Sequence, residues 1–200
     1  MPKTKEQFEQ IRNERIGVIL KSATTLFALK GYDAVNLDEV TKVANCSHGL
    51  LYHYFNGKEE LYEAVLEQIV YPEALNFFEG IVWDQKAKFV VHDILNAVLK
   101  VIKSTNDEKV RILYLLLNTH FQKNLAAVKK DEQGRTKIFS FFEELIEKGI
   151  KEGDFKPFDP VETTISVLSL FKGLAFNRIH IGYKRFICPH SEIIMGMLLK

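Results

Sequence analysis

The sequence predicts an all-α chain in two parts: a compact three-helix unit over residues 1–57 and a helical bundle over 58–200. Three observations carry this. Apolar residues recur at helical spacing along most of the chain, while the alternation of a half-buried strand is scarce. Between residues 36 and 58 the sequence is punctuated by helix-starting residues at short intervals. Fifteen Phe against five Pro supply a large aromatic area that needs a core, an interface or a pocket to cover it.

Each element follows from local chemistry. Ile16, Ile19, Leu20, Ala23, Leu26 and Phe27 form one helical stripe, which Lys30 and Gly31 close. Asn36 can cap a second, short helix, with Glu39 as the other half of a capping box. That helix ends at Ala44-Asn45, where Asn tolerates a left-handed backbone. Ser47 caps a third helix reaching Tyr54. Asn56-Gly57 breaks the chain, and Asn56 with Glu59 forms the box for a long helix from Lys58, carrying Leu61, Val65 and Ile69 and kinked at Pro72. Further helices are expected near 87–104, 108–129, 133–152, 160–183 and 190–199, separated by Ser104 to Asp107, by Gly153-Asp154 with Pro157 and Pro160, and by Pro189.

Composition narrows the function. A net charge of +1 favours no class of partner, yet Met1 to Gly31 holds six Lys or Arg against three Glu, an excess suited to a phosphate-facing end. Cys46 and Cys188 stand far apart, which points to neither a zinc site nor a disulfide framework. The polar N-terminus and the lack of a long apolar run point to a cytoplasmic protein without membrane association. No nucleophile elbow, phosphate-binding loop or dinucleotide-binding glycine motif occurs, and His92, His120 and His180 show no metal-ligand spacing. Catalysis, a cofactor and a metal are not expected.

Residues 36–61 read NLDEVTKVANCSHGLLYHYFNGKEEL: two short helices about a tight turn at Asn45-Cys46. Val40, Val43, Leu51 and Phe55 are placed to pack on the stripe of the first helix. This is a helix-turn-helix, whose second short helix offers its N-terminal part to the major groove of DNA. Ser47, His48, Gly49, Tyr52 and His53 lie away from the packing residues and are the candidate contacts. Gly49 is costly inside a helix, and close approach of the backbone to DNA accounts for it. Lys58 opens a helix whose free N–H groups already favour anions.

Here the sequence strongly resembles the TetR family of repressors. The resemblance spans about residues 15–61 and is carried in register by Leu26, Phe27, Gly31, Tyr32, Val40, Ala44, Ser47, Gly49, Leu51, Tyr52, Phe55, Lys58, Glu59 and Leu61. Asn36 stands where Thr is usual, Asn45 and Cys46 replace Gly-Val at the turn, and Tyr54 replaces His; each replacement preserves the local chemistry. The resemblance implies a homodimer on a near-palindromic double-stranded operator. It places Asn36, Ser47, His48, Gly49, Leu50, Tyr52, His53, Tyr54 and Lys58 at the DNA, with readout resting on His48, Leu50 and His53. EELIEKGIKEGDFKPFDP and the following LFKGLAF look like the last two long helices of such proteins, which usually form the dimer interface. Phe141, Phe142 and Phe171 are candidates for that seam.

Bundles of this kind often enclose an apolar pocket with a few polar anchors. Phe77, Phe78, Tyr114, Asn118, His120, Phe121 and Asn177 are the candidate ligand contacts, and a small hydrophobic or aromatic effector is the expected partner. An alternative stays open: a ligand-independent DNA-binding factor, structural or division-related, with a filled bundle.

Overall fold

The computed structural model describes residues 5–77, 79–119 and 136–200. It contains helices α1 (Lys5–Lys30), α2 (Leu37–Val43), α3 (His48–Tyr54) and α4 (Lys58–Val65), a π-helical turn (Leu66–Val70), then α5 (Tyr71–Phe77), α6 (Ala87–Ile102), α7 (Asp107–Asn118), α8 (Lys137–Lys151), α9 (Pro160–Ile181) and α10 (Ser191–Leu198). The predicted all-α class and its two-part layout of a helix-turn-helix followed by a bundle are both present.

The first half of α1 is exposed, and its buried face starts at Ile19 and runs through Phe27. Against it pack Val40, Leu51, Phe55, Leu61 and Val65, all essentially inaccessible. The expected packing of Val43 is not found. Val43 is 57% exposed, and Ala44, one residue on around the helix, takes the buried position instead.

Helix starts show which local rules operate. Asn36 Oδ1 accepts from the Glu39 N–H at 2.9 Å, as expected. The Glu39 carboxylate, however, takes Lys30 Nζ at 2.6 Å, tying the end of α1 to the start of α2. That ion pair, with a smaller contribution from the Asn36 backbone, holds the Glu39 carboxyl below its usual range. Asn45 turns the chain at φ 49, the left-handed conformation foreseen for it. The box at α4 differs from expectation. Asn56 donates through both its backbone N–H and its side-chain amide to Glu60 Oε2, each at 2.7 Å, so Glu60 rather than Glu59 closes the turn.

Pro72 has an effect other than a simple kink. Proline lacks an N–H and crowds the carbonyl four residues back, so the regular ladder cannot pass through it. The helix widens over Leu66–Val70, the Tyr71 N–H reaches the Leu66 carbonyl five residues back, and α5 resumes.

In the bundle, α7 packs on α1 and α9, and α8 packs on α9 and α6. Phe142 and Phe171 meet edge to face at 6.3 Å within one chain, and both are buried there. This corrects their expected place at a seam between copies. Only Phe141 of that trio is exposed, edge-on to Trp83 at 5.5 Å. Asp159 caps α9 by accepting from the Glu162 N–H at 2.9 Å, with Pro160 at the first helical position. Arg178, 2% exposed, donates to the Ser104 carbonyl at 2.9 Å and to Asp107 at 2.8 Å, locking α9 onto the start of α7. Asp154, after α8, accepts from Lys88 at 2.9 Å and lies 3.6 Å from Lys86. Phe155 forms a single antiparallel bridge to Leu199, and its ring fills the space where a side chain on Gly149 would stand.

Candidate nucleic-acid interface and ligand cavity

The two short helices are held so that one face of α3 is left to solvent. Leu51 points into the core while Ser47, His48, Gly49, Tyr52 and His53 are exposed, and Leu50 is half-covered. Ser47 Oγ accepts from the Leu50 N–H at 3.2 Å, so this serine is a cap that also stands at the exposed end. The first turn of α3 carries no acidic residue, which leaves its amide dipoles available to an anion. His48 Nε2 lies 3.5 Å from both Thr41 Oγ1 and Asp38 Oδ1, steering the ring along α2. Gly49 faces open space, since a β-carbon built there would meet no atom within 4 Å. Nothing inside the fold therefore requires a glycine at this costly helical position.

Around this face stand positive charges that the sequence placed only in a general excess. The Arg12 guanidinium lies 5.8 Å from the half-buried Tyr54 ring, and His53 stacks edge-on to Tyr54 at 5.1 Å. Arg15 lies near Cys46 and works against burial, which on balance raises the Cys46 thiol and keeps it protonated. The first half of α1 thus flanks α3 with cations, a placement that helical periodicity alone does not reveal because these residues are exposed and outside the apolar stripe. Lys58 is half-buried and engaged within the head. Its Nζ donates to the Asp33 carbonyl at 3.1 Å and sits 4.6 Å above the Tyr32 ring. Asn36 is the cap of α2 and is exposed.

A buried aromatic knot links this head to the bundle. Tyr62 of α4 packs edge-on to Phe27 at 4.9 Å and to Tyr32 at 5.1 Å. Burial pushes its phenol far above the usual range, and its hydroxyl has no hydrogen-bond partner.

Further along the same helical rod, the π-helical turn, α5, the end of α7 and the start of α8 line a partly open cavity of about 740 Å³. Its walls include Tyr71, Pro72 and Leu75, with Leu116 and Ile138 facing them. The sequence anchors fall elsewhere. Tyr114 turns toward α9, 6.0 Å from Phe176, and burial raises its phenol. Asn118 is buried on α7 and Asn177 is exposed on α9, neither of them on the cavity wall. The Phe77 side chain, Phe78, His120 and Phe121 lie outside the described residues. Thr119 and Thr136, two of the polar wall residues beside Glu67 and Lys137, were missed because each lies at a helix end that periodicity does not mark. Among the described residues, no three His, Cys, Asp or Glu side chains gather to hold a metal, and no helix is long and apolar enough to cross a membrane.

An exposed, cation-flanked second helix on a three-helix support defines a helix-turn-helix DNA-binding regulator. Residues 19–65 match the family of bacterial regulatory proteins known as tetR. The HTH-type transcriptional regulator YhgD of Bacillus subtilis (strain 168) is 30% identical over 169 residues, 82% of this chain and 84% of that protein. The crystal structure of HlyIIR, a hemolysin II transcriptional regulator, superposes with a TM-score of 0.64 at 25% identity, covering 94% of this chain and 99% of that one. NalD, the secondary repressor of the MexAB-OprM multidrug efflux pump in Pseudomonas aeruginosa, shares the fold with a TM-score of 0.60 at 21% identity, over 94% and 98% of the two chains. The chain belongs to the tetR family and is a DNA-binding transcriptional regulator.

Proposed function

We propose that the chain is a cytoplasmic, homodimeric repressor, without enzymatic activity, that leaves its operator when a small apolar molecule enters the bundle. The observation that carries this reading is the shared rod. The helix that begins at Lys58, beneath the reading head, continues through the π-helical turn to Tyr71 and Pro72 in the cavity wall. The head is residues 1–57, and 58–200 form the sensing and pairing part. Ser47, His48, Gly49, Leu50, Tyr52, His53 and Tyr54 make the DNA contacts, aided by Asn36 and Lys58.

Pairing is assigned to α8 and α9. The apolar side chains of α9 lie on both of its sides: Val167, Leu168 and Phe171 are buried, while Ile165, Phe176 and Ile181 are exposed. Large apolar side chains left exposed on a helix whose other side is already buried suit a second partner. A dimer sets its two recognition helices about 34–36 Å apart, one turn of DNA, and reads a near-palindrome. A ligand acts only if it prefers the state in which the heads no longer fit that spacing. A filled bundle would favour a ligand-independent factor; the cavity supports the responsive reading.

The test is selection of genomic fragments by the purified protein, followed by a salt titration on the best fragment. A short palindrome bound tightly and with steep salt dependence is expected. Weak binding without a common sequence would overturn the reading.

A further inference from the structure

The cavity is apolar along α5 and α7 but polar where α8 begins. Thr136, at the N-cap of α8, is 5% exposed, lines the cavity, and its hydroxyl has no partner. It makes no side-chain cap to its own helix either. A buried hydroxyl in that condition is destabilising until something bonds to it. Beside it, Lys137 lines the same wall, and the first turn of α8 contains no acidic residue. The first-turn amides of a fifteen-residue helix have no acceptor within the helix and carry the positive end of its dipole. Among the described residues, the acid in the lining, Glu67, belongs to the other wall. It neighbours Tyr71, whose phenol it helps to raise, burial being the larger cause.

The unpartnered Thr136 hydroxyl and the positive end of α8 therefore meet at one end of a cavity whose lining is otherwise largely apolar, Tyr71, Pro72, Leu75 and Leu116 among it, with the exposed Lys137 on the same side. Resting on the ligand-responsive reading above, we propose that the effector is an amphiphile with one anionic head, a carboxylate in the first instance. The head accepts from Thr136 Oγ1, Lys137 Nζ and the opening amides of α8, and the apolar body lies along α5. A neutral body of the same shape fills the apolar part and leaves Thr136 unsatisfied. A cationic head meets Lys137 and the positive end of α8.

Calorimetric titration of the full-length protein with decanoate, decanol and decylamine, each below its micellar concentration, tests the proposal. Decanoate is expected to bind at least tenfold more tightly than either, and Thr136→Val and Lys137→Met to erase most of that preference while decanol binding stays the same. Circular dichroism confirms that both variants are folded. The same three compounds are added to the protein–operator complex. Decanol binding as tightly as decanoate and releasing DNA equally overturns the anionic head while leaving the ligand-responsive reading intact. Preference for decylamine overturns it in the same way. No binding by any of the three, together with unchanged operator affinity, overturns both. A decanoate preference that survives in both variants overturns the assignment to α8.

Discussion

Gly49→Ala should make the protein more stable and its DNA binding weaker. Gly49 sits within α3, and a β-carbon there meets no atom within 4 Å. The substitution therefore brings no clash and gains helix propensity, about 1 kcal/mol for each chain. For a chain of this length that gain raises Tm by about 2–4 °C per kcal/mol. If the open space above Gly49 is where DNA lies, the added methyl holds the helix away from the groove. The loss is then on the scale of a spoiled base contact, about 1–3 kcal/mol per half-site. That is roughly 5- to 150-fold in affinity. Differential scanning calorimetry reads the first quantity, and fluorescence anisotropy on the selected operator at fixed salt reads the second. The opposite signs distinguish a contact residue from one that merely supports the fold. A variant that gains stability and binds the operator as well as the parent chain would show that α3 does not approach DNA at Gly49, and the assignment of that face would fall.

Other consequences follow from the same geometry. Arg12→Ala should weaken binding on every DNA sequence alike and flatten the salt dependence by about one unit of slope per phosphate lost, measured as log Kd against log salt. Gly149→Ala forces a β-carbon into the Phe155 ring and should cost about 1–3 kcal/mol in urea unfolding; an unchanged midpoint would mean that the Phe155–Leu199 bridge yields freely. Lys88, with Lys86 beside it, holds the Asp154 carboxyl below its usual range, so this pair stabilises the fold at neutral pH. That contribution is lost as pH falls from the ordinary carboxylate range through the lowered folded-state value, and Asp154→Asn should flatten that part of the stability–pH curve. Phe176→Glu should convert the dimer to monomer by light scattering and abolish tight operator binding, because two linked heads are needed for a palindrome.

Much of the head was legible because its signals are local. Asn36, Asn45 and Ser47 declare caps and a left-handed turn through chemistry that acts over three or four residues, and all three do what that chemistry dictates. The misses lie where two residues could satisfy the same rule. Glu60, not Glu59, reaches Asn56, and Ala44, not Val43, faces α1. A shift of one position around a short helix is below what a pattern of apolar residues can resolve. The cavity was legible only as a kind of place. Its walls come from three helices far apart in sequence, and Thr119 and Thr136 stand at helix ends, where no periodic signal reports which way a side chain faces. Pro72 announced a disturbance, but not that the chain would answer it by widening the helix upstream.

That widened turn also separates two kinds of phase on one continuous rod. Each residue of an α-helix advances the side chains by about 100°, so one residue held in a wider turn is an insertion whose angular effect is absorbed locally. Leu61, Tyr62 and Val65 on the head side and Tyr71 and Ala74 on the cavity side therefore each face their own neighbours across this turn. Removing one residue between Leu66 and Val70 would leave the composition of both surfaces almost untouched. It would still turn the cavity wall of α5 by about a quarter of a circle relative to the head. Cavity wall and head are thus joined in length but set independently in angle.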